Sequence, residues 1–485
     1  MSGKFVFPDA FRNVIIEALP VETSLHGETP RLQNTYLPAT HAKSLRLENM
    51  LVVGIRGSGK SFWWSALQNQ EHREMFGPSI GLPYDTIVSI GFGETPNPED
   101  YPGKDTLAAL LEDADARIVW KTIVYKQIIA KILQQSDFKE LKEWKGRVEW
   151  VLHHPDIVEN ELFHADRELD QGKKFHLVLF DALDRTADNW KTMNRLVRGL
   201  LQTVLDFRSY RRIRLKVFTR PDQIEDLEVG TFPDASKILS QKTDLLWPRK
   251  ELYALLWQYL SNATDGHVFH KGVENLFSVN WEQRNNVWVV PNLLRNDESA
   301  QRELFHAMTG PWMGRDRRRG FPYTWLPNHL GDTRNQVSPR SFLAAVRHTA
   351  EDRVRPDHIY TLHYESIKAG VQQASKIRVQ EMQEDYPWVQ VLLSSLSALS
   401  VPCPIKDVKY IWQTKNLLEK LSDEMTSGDV RLPPAHLSEG SDGVLEDLEN
   451  LGLIERLSGD RINIPDVYRV GYGIGRRGGV KPTAR

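Results

Sequence analysis

The sequence predicts an α/β chain: a doubly wound parallel sheet, then an α-helical region, then a small terminal module. Short apolar runs at Met50–Val53, Thr86–Phe92, Phe175–Phe180 and Arg214–Thr219 recur with helical patterns between them. Strands buried on both faces, joined by helices, read in this way, and their connections should be right-handed. After Pro248 the pattern changes to helices, at 249–261, 338–352 and about 363–398.

Residues 1–45 read as an irregular lead-in punctuated by Pro8, Pro20, Pro30 and Pro38. Residues 46–247 form the core. Its first strand ends at a glycine cluster, and a helix follows from Lys60 to about Asn69. Residues 106–171 form a helical insertion, interrupted near Gln135 and at His154-Pro155. The strand Phe175–Phe180 leads to a helix from about Asn189 to Asp206, and Arg214–Thr219 is the next strand. Residues 248–385 read as a helical lid carrying an irregular Trp-, Asn- and Arg-rich insertion at 263–337. Residues 386–470 form the terminal module. The tail 471–485 is Gly-rich and basic (Arg476, Arg477, Lys481, Arg485) and is expected to be flexible.

Composition narrows the classes. A chain of 485 residues leaves room for roughly three domains. Lys+Arg 62 against Asp+Glu 64 gives a net charge of −2, so no overall basic field draws the chain to nucleic acid or anionic membrane. Apolar residues at 40% supply sizeable cores and exclude a mostly disordered chain. The lone Cys403 excludes an intramolecular disulfide and fits a reducing compartment. No apolar run approaches the roughly 18 residues of a membrane helix, and the start, Met1 to Pro8, lacks a secretory signal's apolar stretch. A cytoplasmic protein is expected.

The glycine cluster carries the strongest motif. Gly54-Ile-Arg-Gly-Ser-Gly-Lys60-Ser61 fits G-x-x-x-x-G-K-[ST], preceded by an apolar strand and followed by a helix. In such a P-loop, backbone N–H groups converge on phosphate oxygens at the positive end of the helix. Gly54, Arg56, Gly57, Ser58, Gly59, Lys60 and Ser61 are therefore the nucleotide-binding candidates. Lys60 would reach the β- and γ-phosphates, and Ser61 would ligate Mg²⁺. Leu177-Val-Leu-Phe-Asp181-Ala-Leu-Asp184 ends an apolar strand in a carboxylate. Asp181 could hold Mg²⁺ and Asp184 could orient or deprotonate the attacking water, the alternative being a helix cap for either.

This second pattern resembles the Walker B of signal-transduction ATPases with numerous domains, the group containing NACHT and NB-ARC switches. It departs from typical AAA+ motors, in which a glutamate follows the magnesium aspartate; here Ala182 stands there. The resemblance therefore implies slow hydrolysis, or hydrolysis that depends on Asp184. Lys216-Val-Phe-Thr219-Arg220-Pro221 is similar to the sensor of the same group, with Thr219 and Arg220 facing the γ-phosphate. Ser338-Pro339-Arg340-Ser341 opens a helix and is similar to the second sensor of AAA+-like lids. For Arg220 and Arg340 alike, the alternative is a structural ion pair.

Val401–Trp412 and Val444–Arg456, with a turn at Ser458–Asp460 and a returning strand, look like the winged helix these ATPases carry. The stretch Glu439–Asn450, in the place of a recognition helix, holds Glu439, Asp442, Glu446, Asp447 and Glu449 and no Lys or Arg. That sign opposes phosphate contact and favours a regulatory or protein-contact role. Arg315, Arg317, Arg318 and Arg319 form a basic loop after Trp312.

The resemblance implies an ATP-binding, slowly hydrolysing switch that uses Mg²⁺ and changes conformation or assembly with ATP or ADP. It would act as a homo-oligomer or with a protein partner, in a bacterial phage-defence or stress-response complex. The rival readings are a DNA-handling ATPase, resembling origin-binding or transposition regulators, and a nucleotide-stabilised scaffold without turnover.

Overall fold

The apolar runs become strands because their side chains find cover on both sides. In a computed structural model, β1 (Leu51–Val53), β2 (Ile87–Phe92), β3 (His176–Phe180), β4 (Ile213–Thr219) and β5 (Thr243–Asp244) form one sheet in the order β2-β3-β4-β1-β5. Every pairing is parallel. The structure describes residues 5–21, 29–132, 137–225, 227–353, 358–427 and 430–482. The Met1–Lys4 start, the interruption near Gln135 and Arg485 of the tail lie outside the described residues. Strand β5 had no counterpart in the sequence reading. At two residues, it is too short to leave an apolar pattern.

The chain divides into two units, one of Leu25–Pro30 and Leu37–Leu246, the other of Met1–Ser24, Arg31–Tyr36 and Trp247–Arg485. In the first unit, alternate strand residues face opposite layers. Val52, Leu177, Leu179 and Phe218 pack with Trp63, Ala66 and Leu67 of the helix Lys60–Gln68. On the other side, Phe180 meets the Trp120 ring edge-to-face at 5.7 Å, and Phe92 meets it at 5.8 Å. Trp120 belongs to the buried helix Ala116–Lys131 of the insertion. The expected break at His154-Pro155 separates helices Trp144–His153 and Pro155–Gln171, since a proline ring suits a helix start and not its interior.

The second unit corrects two expectations. The lead-in is not wholly irregular. Phe11–Ala18 is a helix whose Arg12 donates to the carbonyls of Ala350 and Asp352, at 3.2 and 3.0 Å. The tail is not loose along 471–482, where Tyr472, Ile474 and Val480 are buried. Arg469, itself fully buried, donates to the carbonyls of Ile474 (3.2 Å) and Val480 (2.7 Å). A basic composition hid these three apolar anchors.

The insertion 263–337 is more regular than it reads. It contains the helices Gly266–Leu276, Asn292–Asn296, Glu298–Thr309 and Pro322–Asn328, and the hairpin Glu282–Arg284/Val287–Val289. The helices Arg249–Ser261 and Pro339–Glu351 appear where the periodicity puts them, whereas the run about 363–398 is split into Tyr364–Asp385 and Pro387–Ser394. Beyond them, Cys403–Pro404, Glu455–Leu457 and Arg461–Asn463 form an antiparallel sheet beside the helices Ile405–Thr414, Leu417–Ser427 and Ser441–Asn450.

One close approach in the sheet-bearing unit sets a test. The helix Trp190–Phe207, capped by Asn189 accepting from the Thr192 N–H, crosses the helix Ala116–Lys131 at Gly199. A Cβ there would sit 2.8 Å from backbone atoms of Ala116 and Arg117, which no side-chain rotation can relieve. The Trp120 indole N–H also donates to the Leu196 carbonyl across this crossing, at 2.8 Å. Gly199→Ala is therefore expected to destabilise the chain by about 1–3 kcal/mol. Urea unfolding followed by tryptophan fluorescence measures it, and an unchanged midpoint would refute the tight crossing.

Candidate functional site

Parallel strands with a common register bring their carboxyl ends to one edge, where open α/β sheets hold ligands. Val53 pairs with Thr219 and Phe180 with Val217, so Gly54, Asp181 and Arg220 leave the sheet close together. Gly54 donates its N–H to the Thr219 carbonyl at 3.1 Å, tying the loop to β4. Gly57 and Gly59 take φ of +76° and +99°, a left-handed backbone that glycine adopts without penalty. Gly59 then starts the helix Lys60–Gln68, whose first N–H groups point into the loop. A Cβ on Gly54 would fall 2.2 Å from the Ser58 hydroxyl and 3.3 Å from the Leu245 Cβ, so a side chain here would force Ser58 to turn. Arg56 is half-buried in the loop.

Lys60 folds back over the loop, its ammonium donating to the carbonyls of Gly54 (2.9 Å) and Ile55 (3.1 Å). Burial pushes it down to about 8, reinforced by the positive charge of Arg220; Asp181, Asp184 and Asp222 oppose that shift. Asp181 is buried at the end of β3, and burial raises its pKa. The Ser61 hydroxyl, which donates to it, and the Lys60 charge act the other way. The two residues expected to share Mg²⁺ are thus already hydrogen-bonded to one another.

Between the two aspartates, Ala182 takes a left-handed φ of +57°. This bend turns the chain into the 3-10 turn Leu183–Arg185 and carries Asp184 to 3.7 Å from the Arg220 guanidinium. Neither aspartate takes the N-cap position of the next helix, which Asn189 occupies. Arg220 is itself buried, and Asp222 lies 3.9 Å from its Nε. Lys60, Asp181, Asp184 and Arg220 are therefore brought together at this edge of the sheet.

Two residues of this site escaped the sequence reading. Gln223 is almost fully buried, and its carbonyl oxygen accepts from the Thr219 hydroxyl (2.8 Å) and the Arg220 N–H (2.9 Å). Asp222 is the second carboxylate of Arg220. The available signal was Pro221 with Gln223 two residues on, the pattern of a capped turn starting at a proline. The Thr219 hydroxyl, expected to face nucleotide, donates to Gln223.

Arg340 lies in the other unit, in the helix Pro339–Glu351, and its guanidinium is paired with Glu381. Glu381 also holds Arg378 at 3.2 Å, and Arg378 donates to the Tyr468 hydroxyl. This is the ion pair that stood as the alternative to a sensor. On the acidic helix Ser441–Asn450, Asp442 pairs with Lys409 (2.6 Å), Asp447 with His436 (2.7 Å) and Glu449 with Arg456 (3.0 Å).

No protein-family model and no curated protein sequence matches this chain. Among solved structures it is similar to the Walker-type ATPase PABY2304 of Pyrococcus abyssi, with 13% identity over 93% of this chain and 99% of that one, and a TM-score of 0.40. It is also similar to Cdc6p of Pyrobaculum aerophilum, with 11% identity over 95% and 94% and a TM-score of 0.32. A third likeness is to the ORC2 protein of Aeropyrum pernix in ADPNP–ADP complexes, with 12% identity over 86% and 84% and a TM-score of 0.34. All three are distant.

The Gln223 contacts can be tested without any ligand. Gln223→Leu keeps the volume but strands the Thr219 hydroxyl and the Arg220 N–H in a buried place. The expected cost is about 1–3 kcal/mol, read from the midpoint of chemical unfolding. A variant as stable as the parent would mean that Gln223 does not organise the turn.

Proposed function

We propose that the chain is an ATP-binding switch with slow hydrolysis, in which the γ-phosphate competes with two carboxylates for Arg220. The observation that carries this reading is the convergence of Lys60, Ser61, Asp181, Asp184 and Arg220 at one edge of the parallel sheet. The glycine loop offers backbone N–H groups to phosphates, and Lys60 offers a charge that can leave its two carbonyls for an anion. Adenine rather than guanine follows from the family resemblance of the motifs.

Ser61 and Asp181 fit Mg²⁺. Both are hard oxygen donors already in contact, and the buried Asp181 carboxylate lacks enough positive charge to offset its burial. A bound Mg²⁺ would supply neutralisation of phosphate charge. Asp184 is the group that can orient the attacking water, and Arg220 holds it. A γ-phosphate that draws Arg220 away would release Asp184 and Asp222 together, changing the turn Pro221–Gln223 on which both Arg220 and Thr219 are fixed. The ligand can shift a conformational equilibrium only through such differential contacts. With Arg340 engaged by Glu381, the sensing role proposed here falls on Arg220. The small terminal sheet and its helices are read as a winged helix whose acidic face suits a protein contact or a second copy.

Removing the Lys60 ammonium should lower ATP turnover by about a hundredfold or abolish binding. Asp184→Asn should bind nucleotide with little change and hydrolyse it about a hundredfold more slowly. Phosphate release and calorimetry separate these effects. Normal turnover by a folded Lys60→Ala protein would remove the phosphate-loop reading, and normal turnover by Asp184→Asn would remove the water-orienting role.

The low Lys60 pKa has a signed consequence. Phosphates favour the ammonium, so its pKa must rise when nucleotide binds. Below about 8 the free protein already carries the proton. Above that value, binding must take up a proton, and affinity should fall by up to about tenfold per pH unit. Calorimetry in buffers of different ionisation enthalpy should show proton uptake on the alkaline side. Uptake that is absent, or that grows toward acid pH, would contradict the assignment to Lys60.

A further inference from the structure

The loop after the helix Glu298–Thr309 is short, closed and basic. Its neck is a backbone hydrogen bond from the Met313 N–H to the Gly320 carbonyl, at 2.9 Å, with the Met313 side chain buried below. The tip is the 3-10 turn Arg317–Arg319, capped by the Asp316 carboxylate accepting from the Arg318 N–H at 2.9 Å. Arg315, Arg317, Arg318 and Arg319 are all exposed. Among the described residues, none of the four has a carboxylate within ion-pair distance. Exposed arginines elsewhere do find partners: Arg117 meets Asp206 at 2.6 Å and Arg456 meets Glu449 at 3.0 Å.

We infer that this loop binds the phosphodiester backbone of a nucleic acid. Three features of its chemistry select that occupant. The cations are all arginine, whose planar fork matches phosphate oxygens and is weakly hydrated. Successive residues of a 3-10 turn point about 120° apart, so Arg317, Arg318 and Arg319 leave the turn in different directions. They suit a polymer that presents phosphates at several places. Beside the loop lies a half-buried aromatic group in which Phe321 has Trp312 at 5.0 Å, His306 stacked at 5.7 Å and the Arg302 guanidinium over its ring at 5.5 Å. The half-buried Trp312 ring and the exposed Arg302 guanidinium beside unpaired cations offer planes on which an unpaired base can stack.

Arg476 of the basic tail is committed to Asp466 (3.0 Å) and to Asn463, and the helix Ser441–Asn450 is acidic. The inference does not depend on the nucleotide reading.

The test uses the full chain and fluorescent oligonucleotides, single-stranded DNA, duplex DNA and single-stranded RNA, with anisotropy followed across a salt series. The parent should bind at least one of them at low salt, more weakly as salt rises. Replacing Arg315, Arg317, Arg318 and Arg319 together by Gln should weaken binding by at least about tenfold. The salt slope should become shallower by about one for each arginine that contacted a phosphate. The single reversal Arg318→Glu should act in the same direction, and circular dichroism checks that both variants fold. Three results would overturn the inference. These are no binding by the parent at low salt, binding that the variants leave unchanged, or binding by the parent to phosphatidylserine vesicles but to none of the oligonucleotides. A variant that loses only concentration-dependent ATP turnover would also overturn it, because the arginines would then serve a second copy's nucleotide.

Discussion

The burial of a charged arginine at the end of β4 is the constraint on which the candidate site depends. A guanidinium keeps its charge, so burying Arg220 without anions would be costly, and Asp184 and Asp222 supply them from two different turns. Each of those turns is costly to build. One needs a left-handed alanine at Ala182, a conformation worth roughly 1–2 kcal/mol against it. The other needs a buried glutamine to satisfy a hydroxyl and an N–H. Strain and buried polar contacts of this kind persist where the surroundings over-determine them, and they concentrate at functional sites.

The charges around Arg220 are coupled. Lys60 and Arg220 repel; Lys60 feels Asp181, Asp184 and Asp222, and Arg220 has Asp184 and Asp222 beside it. Two cations against three carboxylates leave the cluster near neutrality, which is what a site largely withdrawn from water requires. An incoming anion must therefore exchange partners with groups already paired. Such a site responds to a ligand by rearranging its own contacts, and this is the physical basis for reading it as a switch. The tight Ala116–Gly199 crossing and the Trp120 ring beneath Phe180 brace the strand that presents Asp181.

Local signals carried far along the chain. The helix at Lys60 follows from a glycine with positive φ, and the one at Trp190 from the Asn189 cap. The break at Pro155 follows from a ring that cannot sit inside a helix. The tail and the lead-in misled because three or four apolar residues among many polar ones, such as Tyr472, Ile474 and Val480, leave no periodicity. The Trp-rich stretch 263–337 failed for a related reason. Its helices are short, and the run includes a hairpin of only three residues per strand.

By itself the sequence determined the alternation of strands and helices, the phosphate loop, and the carboxylate and arginine at two strand ends. These properties rest on residue type and spacing, which a linear chain records directly. Only the tertiary structure decided the strand order β2-β3-β4-β1-β5 and the pairing of Arg220 with Asp184. It also decided the engagement of Arg340 by Glu381 and the solitude of the arginines at 315–319. Whether a charged side chain is paired depends on what folding brings within a few ångströms of it, and that distance is not written along the chain.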